Sequence, residues 1–263
     1  MKKSIYFDCS SGISGDMAVA ALIDLGVDKE CLIKALNSID TGGYDIKISK
    51  IIKSNTPCCD FDVILDSDHE NHDHDMEYLH GNGEVKLPHE HYHRSLNDIK
   101  IIISSADISQ GTKSLACRIF EILAEAEAKA HGTTVEQVHF HEVGAIDSII
   151  DIIAFAYCFD SIGINDVIIP CLYDGVGTVR CQHGILQIPV PAVKNIAKSN
   201  DIELKITDIQ GELITPTGCA IAAAVKTCNA LPHSYKIRKI GCGAGKRDYE
   251  SSGILKTYII IEH

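Results

Sequence analysis

No uninterrupted apolar run in the sequence reaches about 18 residues, the length that a membrane-spanning helix needs, so we expect no transmembrane segment. The first residues, MKKSIYFDCSSG, contain two lysines without a long apolar stretch after them, so we expect no secretory signal peptide. Basic residues are scarce, since 24 lysines and arginines face 36 aspartates and glutamates, for a net charge of -12. A chain this acidic is a poor candidate for binding nucleic acid or an anionic membrane, and it attracts cations.

Paired cysteine motifs are also absent. The eleven cysteines are scattered, their number is odd, and no CxxC sequence occurs. Disulfide frameworks belong to oxidising compartments. Because we expect no export signal, we predict a cytoplasmic protein whose thiols are mostly free.

The chain has the composition of an ordinary folded domain, with 45% apolar and 23% charged residues among 263. Strand-like and helix-like apolar patterns alternate along it, without an internal repeat or a clear linker. We therefore predict the α/β (α+β) class, with a mixed sheet and flanking helices. One domain is expected to cover residues 1–263, with an insertion at residues 66–93.

Local signals predict several boundaries. Asp28 is a plausible N-cap for a helix that runs to about Ser38. Apolar residues between Lys113 and Ala130 share one helical face, and the His131-Gly132 pair is a good helix end. The glycine-rich stretch DGVGTV, 174–179, predicts a loop.

Residues 66–93 form an acidic, histidine-rich segment with seven histidines, eight acidic residues and a single lysine. Its few apolar residues lack a period, so we predict a disordered insertion. Imidazole suits nickel, copper and zinc, and the spacing lacks the fixed pattern of a structural zinc finger. We expect loose capture of such a cation; the alternative is a solvated loop without a metal. The candidate ligands are His69, His72, His74, His89, His91 and His93, and the seventh histidine is His80.

The run HFHEVGAIDSIIDI, 139–152, concentrates donor side chains at the start of an apolar segment. In an extended VHFHE segment, His139 and His141 face the same side. Asp147 and Asp151 lie one turn apart on the helix that follows. We predict that these four residues and Glu142 form a structured metal site, in which carboxylates bind the metal or orient the imidazoles. The alternative has one aspartate as a helix N-cap and the histidines as hydrogen-bonded core groups.

The N-terminal stretch FDCSSGISGD, 7–16, joins a strand to a helix through a glycine-rich turn. Free backbone N–H groups and the helix dipole favour an anion there, which predicts phosphate binding by Ser11, Gly12 and Gly15. Asp8 and Asp16 are candidate catalytic carboxylates that hold Mg²⁺ or Mn²⁺ against the phosphate. The stretch is neither a Walker loop nor GxGxxG. In the alternative, Asp16 merely caps the helix and the glycines merely make the turn.

A second candidate phosphate site is GELITPTG, 211–218, which precedes another helix. Its candidate residues are Glu212, Thr215, Thr217 and Gly218. Thr217 could equally be a simple N-cap. Weaker candidates are His183, Lys246, Arg247 and Asp248.

Together these motifs resemble the LarC family of nickel insertion proteins. The matching stretches are YFDCSSGISGDM, the histidine-rich insertion, VHFHEVGAIDSIIDI, HGILQIPVPA and GELITPTG, in the order of the family and over nearly the whole chain. Two small departures, Gln187 and Val193, do not change a donor side chain.

The resemblance implies a nickel chelatase of the lyase type that inserts nickel into pyridinium-3,5-bisthiocarboxylic acid mononucleotide. It also implies dependence on CTP with Mn²⁺ or Mg²⁺, a product with nickel held by one carbon and two sulfurs, and use of that product by lactate racemase apoenzyme. We infer that the insertion gathers Ni²⁺, the 139–151 cluster holds it, and the N-terminal turn binds a phosphate. A homo-oligomer is expected.

The family has a further C-terminal domain that is associated with CTP binding, and this chain ends at IIIEH, before that domain is expected. Activity is therefore expected to need such a domain on another chain. Two other functions are open. One is a non-catalytic nickel or zinc metallochaperone or storage protein. The other is a metal-dependent hydrolase in which His139, His141 and an aspartate activate water, with Glu142 as the base.

Overall fold

The computed structural model describes residues 2–66, 76–80, 94–140, 145–181, 184–250 and 253–262, without the side chains of Tyr78 and His139. Within these ranges the strands are β1 Lys3–Asp8, β2 Tyr44–Lys53, β3 Thr56–Leu65, β4 Arg94–Ser95, β5 His139–Phe140, β6 Val167–Ile168, β7 Leu172–Val176, β8 Thr178–Cys181, β9 Gly184–Gln187, β10 Leu204–Gln210, β11 Tyr235–Ala244 and β12 Ile254–Glu262. The helices are α1 Gly15–Asp24, α2 Lys29–Leu36, α3 Met76–His80, α4 Leu96–Ser105, α5 Gln110–His131, α6 Ile146–Ile162, α7 Pro191–Ser199 and α8 Pro216–Val225, and a 3-10 turn covers Val135–Gln137.

A mixed sheet forms the centre of the fold, with the strand order β2-β3-β11-β12-β1-β6. Strands β1 and β11 are both antiparallel to β12, and β3 is parallel to β11. The carboxyl ends of β1, β3 and β11 therefore lie at the same edge of the sheet. The predicted mixed sheet with flanking helices is confirmed, and no helix in the described ranges is both long and apolar enough to cross a membrane.

Helix α1 packs directly on the sheet because β11 carries glycines where the two elements meet. A Cβ atom on Gly241 or Gly243 would overlap backbone atoms of α1. The helix is buried from Gly15 to Ile23, and its alanines allow this close approach. Since α1 follows β1, its first turn lies at the edge of the sheet where β3 and β11 also end.

The predicted helix boundaries agree with the structure. Asp28 caps α2 by accepting a hydrogen bond from the N–H of Cys31, at 3.0 Å. Gly132 follows α5 with a left-handed φ of 65°. Helix α6 is buried along most of its length and packs between α1 and α5, so its first turns lie beside the start of α1.

The predicted loop at 174–179 is wrong, because these residues contribute to β7 and β8, with a turn at Gly177 between them. The glycines gave the loop signal, but Gly175 is a site of close backbone approach, where a Cβ atom would overlap the carbonyl of Gly211. Asp174, which is fully buried, accepts hydrogen bonds from the N–H groups of Gly175, Leu213 and Ile214 at 2.9 to 3.2 Å. Burial raises the pKa of Asp174 to about 6, and these hydrogen bonds oppose that rise.

Candidate functional site

A cavity of about 240 Å³ lies where the first turns of four helices meet. Its walls include Ser14–Asp16 of α1, Asp147 and Ser148 of α6, Val190–Ala192 of α7 and Thr215–Thr217 of α8. The first N–H groups of a helix lack partners within the helix and carry the positive end of its dipole. The four helix starts therefore make the cavity favourable for an anion. Its volume is close to the lower end of the roughly 300–1,000 Å³ that small-molecule sites have.

The two predicted phosphate-binding loops lie side by side at this cavity. Ile13 and Ile214 form a parallel bridge, and the N–H of Thr215 donates to the carbonyl of Ile13 at 3.1 Å. A Cβ atom on Gly12, which has a φ of 87°, would overlap the backbone of Leu213. Glycine at position 12 thus allows the two loops to touch, and Asp174 fixes the second loop from behind.

Asp16 lines the cavity and is only 6% exposed. One of its carboxylate oxygens accepts a hydrogen bond from the Ser14 hydroxyl, and the other, Oδ2, has no hydrogen-bond partner within the described residues. The simple cap considered for Asp16 is wrong, because Ser14 occupies the N-cap position of α1. A buried carboxylate oxygen without a donor favours a cation as its partner.

Two further carboxylates, Asp147 and Asp151 of α6, line the same cavity. Burial, together with the negative charges of Asp16 and Asp147, raises the pKa of Asp151 well above its usual range. From the sequence, Asp16 was assigned to a phosphate site, and Asp147 and Asp151 were assigned to a nickel site. The fold brings all three carboxylates to one cavity.

These carboxylates do not make a complete metal site within the described part of the chain, where no three histidine, cysteine, aspartate or glutamate side chains are arranged to hold an ion. The predicted ligands His141 and Glu142 and the side chain of His139 lie outside the described residues. Their metal role stays a prediction. The N-cap of α6 is Ala145, so neither aspartate caps that helix.

Lys246 follows β11 and lines the cavity. Its Nζ lies 2.6 Å from Oδ1 of Asp60 and 3.4 Å from Oδ1 of Asp62. Burial lowers the pKa of Lys246, but the hydrogen bond to Asp60 and the charges of Asp60, Asp62 and Asp16 outweigh it, so the net shift is upward. Lys246 is therefore a fixed positive charge in the cavity wall.

Arg247 is a second cation in the wall, and it pairs with Glu212. Glu212 is 6% exposed and the Arg247 side chain is 16% exposed, so this ion pair is largely removed from water. Glu212, a predicted phosphate-site residue, lines the cavity and contacts this cation. Its role at a phosphate stays a prediction. Lys246 and Arg247, two of the weaker candidates from the sequence, thus both line the cavity.

The remaining predicted phosphate-site residues have mixed positions. Thr215 caps α8 by accepting from the N–H of Gly218 at 3.1 Å, so the cap is Thr215 and not Thr217. Thr217 is buried and lines the cavity. Gly218 packs against the backbone of Ile13. Ser11 lines a smaller neighbouring cavity of about 50 Å³, which Asp16, Glu212, Lys246 and Arg247 also border.

Asp8 is not brought to this cavity. Its carboxylate accepts from the N–H of Ser10 at 3.2 Å, and it is not among the residues that line either cavity. The predicted pairing of Asp8 with Asp16 around one metal ion therefore has no support in the described geometry.

A carboxylate and an imidazole in the last turns of α5 were not predicted from the sequence. Glu127 and His131 both line the cavity, and His131 Nε2 lies 3.4 Å from Glu127 Oε2. Burial raises the pKa of Glu127, and His131 opposes the rise. The spacing of four residues was a visible signal; it had been interpreted only as a helix end. For Asp60 and Asp62, the missed signal was the D-F-D alternation of strand β3.

The histidine-rich insertion lies mostly outside the described residues, including His69, His72, His74, His89, His91 and His93. Its helix α3 is described, and Leu79 of this helix lines the cavity. His80 Nε2 lies 2.9 Å from the hydroxyl of Tyr249. The insertion therefore reaches the cavity wall.

The sequence of residues 5–263 matches one protein family, which is described as "Nickel insertion protein". A protein of Alkaliphilus metalliredigens named "Pyridinium-3,5-bisthiocarboxylic acid mononucleotide nickel insertion protein" is 50% identical over 99% of this chain and 61% of its own length. A protein of the same name from Acetivibrio thermocellus is 39% identical over 92% of this chain and 56% of its own length. Another, from Clostridium acetobutylicum, is 42% identical over 97% of this chain and 63% of its own length. The chain thus spans about three fifths of the length of these relatives. No solved structure matches it.

Proposed function

The chain belongs to the nickel insertion protein family, and from this premise we propose that it inserts nickel into pyridinium-3,5-bisthiocarboxylic acid mononucleotide in the cavity between the four helix starts. The observation that carries the proposal is the meeting of opposite charges in one cavity. Buried carboxylates from α1 and α6 suit a cation, and the helix starts with Lys246 and Arg247 suit an anion.

The ligand named for the relatives has the matching chemistry. A mononucleotide has a phosphate, and the two thiocarboxylic acid groups add further negative charge. Lys246 and Arg247 are positioned to pair with such groups, and the first turns of α1 and α8 offer backbone N–H donors. We assign the phosphate to this side of the cavity.

Nickel is the second substrate. Asp16 and Asp151, with Asp147, would hold Ni²⁺ through oxygen, and His139, His141 and Glu142 remain the predicted additional ligands. Carboxylates are hard ligands and thiocarboxylate sulfur is soft, so transfer of nickel from the aspartates to the ligand is favourable. The carboxylates therefore position the metal without retaining it.

The ring geometry of the ligand determines where nickel goes. Thiocarboxylates at ring positions 3 and 5 flank carbon 4, so nickel held by both sulfurs lies against that carbon. A nickel–carbon bond forms there with the electron pair of the former C–H bond, and the hydrogen leaves as a proton. No electron is gained or lost overall.

The other expectations are part of the same proposal. The histidines of residues 66–93 would raise the nickel concentration near the cavity, with α3 holding the insertion at its wall. CTP with Mn²⁺ or Mg²⁺ would activate the phosphate of the ligand, with help from a C-terminal domain on another chain. The product would serve lactate racemase apoenzyme. We further propose the lyase type of reaction, a cytoplasmic location and a homo-oligomer.

The test is a nickel insertion assay that mixes the purified chain with Ni²⁺, the mononucleotide, Mn²⁺ and CTP, with and without the C-terminal domain of the Alkaliphilus relative. Mass spectrometry measures the nickel-bound ligand. Asp107→Asn, a change of an exposed aspartate, is the matched control for Asp151→Asn. We expect product that depends on Asp151 and not on Asp107. Tight nickel binding without product in either arm would favour the metallochaperone.

A further inference from the structure

We propose that Glu127 accepts the proton that leaves carbon 4 of the ligand when nickel binds there, and that His131 passes this proton to water. The inference rests on the proposed function and adds two residues to it. It starts from a requirement of the reaction, because the hydrogen on carbon 4 must leave as a proton for every nickel ion inserted. The proton needs an acceptor beside the ligand and a path to solvent.

Glu127 and His131 have the positions that such a path needs. Both line the cavity, one turn apart on α5. The Glu127 side chain is 17% exposed and the His131 side chain is 44% exposed, with 3.4 Å between Oε2 and Nε2. Exposure thus increases from the carboxylate to the imidazole. A proton taken up by Glu127 can move to His131, a titratable side chain that is in contact with water.

The other carboxylates of the cavity are already engaged. Six described carboxylates line it. In the proposed function Asp16, Asp147 and Asp151 hold nickel, and a carboxylate that binds nickel is not available as a base. Asp62 and Glu212 face the fixed cations Lys246 and Arg247, which weaken them as proton acceptors. Glu127 lies beside His131 instead, and a neutral imidazole can accept a proton.

The chemistry of Glu127 supports this role. Burial raises its pKa, so it binds a proton more strongly than an exposed glutamate would. The transfer balances without a further reactant. The C–H bond breaks, its electron pair forms the nickel–carbon bond, and the proton moves to a Glu127 oxygen, then to His131 and then to water.

The experiment compares nickel insertion by the wild-type chain, Glu127→Gln, Glu127→Asp and His131→Gln, under the conditions in which the wild type is active. Glu125→Gln, on the exposed side of the same helix, is the matched control. Nickel affinity of each variant is measured separately by calorimetry. The ligand is used with hydrogen and with deuterium at ring carbon 4.

We expect Glu127→Gln to slow insertion by about 100-fold without a matching loss of nickel affinity, as for removal of a general base. The deuterium effect should be larger in this variant than in the wild type, and Glu127→Asp should recover part of the rate. His131→Gln should lose about tenfold, with recovery on adding imidazole. Glu125→Gln should behave as wild type.

Three results would overturn the inference. In the first, Glu127→Gln inserts nickel at the wild-type rate, and the proposed function survives. In the second, its rate and its nickel affinity fall by the same factor, which makes Glu127 a metal ligand instead. In the third, the wild type makes no product under any condition, and then the proposed function fails together with the proton path.

Discussion

The carboxylate of Asp151 lies directly on the backbone of Gly15, so that a Cβ atom at position 15 would be only 2.5 Å from Asp151 Oδ2. This contact joins α6 to the first turn of α1. It ties a residue of the predicted nickel cluster to the glycine-rich turn that the sequence had assigned to phosphate.

The first prediction concerns Gly15→Ala. The added methyl group must displace Asp151, so we expect a loss of about 1–3 kcal/mol in the free energy of unfolding, as for overpacked sites, and a clear loss of nickel affinity. Urea denaturation and calorimetry measure the two effects.

Gly111→Ala is the matched control for this change. A Cβ atom on Gly111 would likewise overlap an aspartate, Asp160 of α6, away from the cavity. It should cost stability but leave nickel affinity intact. If both variants bind nickel as the wild type does, the contact between Gly15 and Asp151 has no part in metal binding.

The second prediction concerns Asp151→Asn and pH. Burial and the charges of Asp16 and Asp147 raise the pKa of Asp151 above its ordinary value of 3.8, so its ionisation opposes folding. This loss of stability is absent below pH 3.8 and grows as the pH rises towards the raised pKa. Without metal, Asp151→Asn should therefore be more stable than the wild type at pH 7.

The advantage of Asp151→Asn should shrink as the pH falls towards 4. Urea denaturation in EDTA at several pH values measures it. Added Ni²⁺ should reverse the order at pH 7, because it binds the wild type and not the variant. If Asp151→Asn is less stable than the wild type at pH 7 in EDTA, groups within the protein stabilise the ionised Asp151 carboxylate, and the prediction is wrong.

The third prediction concerns the ion pair of Arg247 and Glu212. Arg247→Ala leaves the buried Glu212 carboxylate without this cation and should cost about 3 kcal/mol, as for removal of one partner from a buried pair. Ligand affinity should fall as well. The double variant Glu212→Gln/Arg247→Met should regain most of the stability but not the affinity. Recovery of both would remove Arg247 from the proposed anion site.

The fourth prediction concerns the histidine-rich insertion. Tyr249→Phe removes the hydroxyl that contacts His80, and deletion of residues 66–93 removes the whole segment. Both changes should raise the nickel concentration needed for half-maximal insertion, with the deletion having the larger effect, and leave the rate at saturating nickel nearly unchanged. If the deletion variant inserts no nickel even at saturating concentration, residues 66–93 take a direct part in the reaction. If Tyr249→Phe behaves as wild type, the contact with α3 is dispensable.

Much of the fold could be predicted because its signals are local. Helix α5 follows from its apolar period, and its end from Gly132, which takes a left-handed φ value. The exception was DGVGTV, where glycines that allow close backbone approach were interpreted as a loop. Sequence alone gave no sign that Gly211 would lie against Gly175.

The cavity was predicted in parts but not as a whole. Asp16, Asp151 and Thr217 were each named, yet they stand in three separate segments. Long-range contacts bring those segments together, namely the bridge between Ile13 and Ile214 and the contact of Asp151 with Gly15. Lys246 was undervalued because its partners Asp60 and Asp62 lie nearly two hundred residues earlier in the chain. Long-range pairing of this kind leaves no local pattern.

The central claim is that nickel and the anionic ligand meet in one cavity, with Asp16 and Asp151 on the metal. Anomalous diffraction at the nickel edge, from crystals soaked with Ni²⁺ and the mononucleotide, tests it most directly. The account predicts a nickel peak about 2.1 Å from carboxylate oxygens of Asp16 and Asp151, an ordinary distance for a divalent metal, with the ligand phosphate beside Lys246. Nickel found only on the histidines of residues 66–93, with the ligand bound elsewhere, would contradict it.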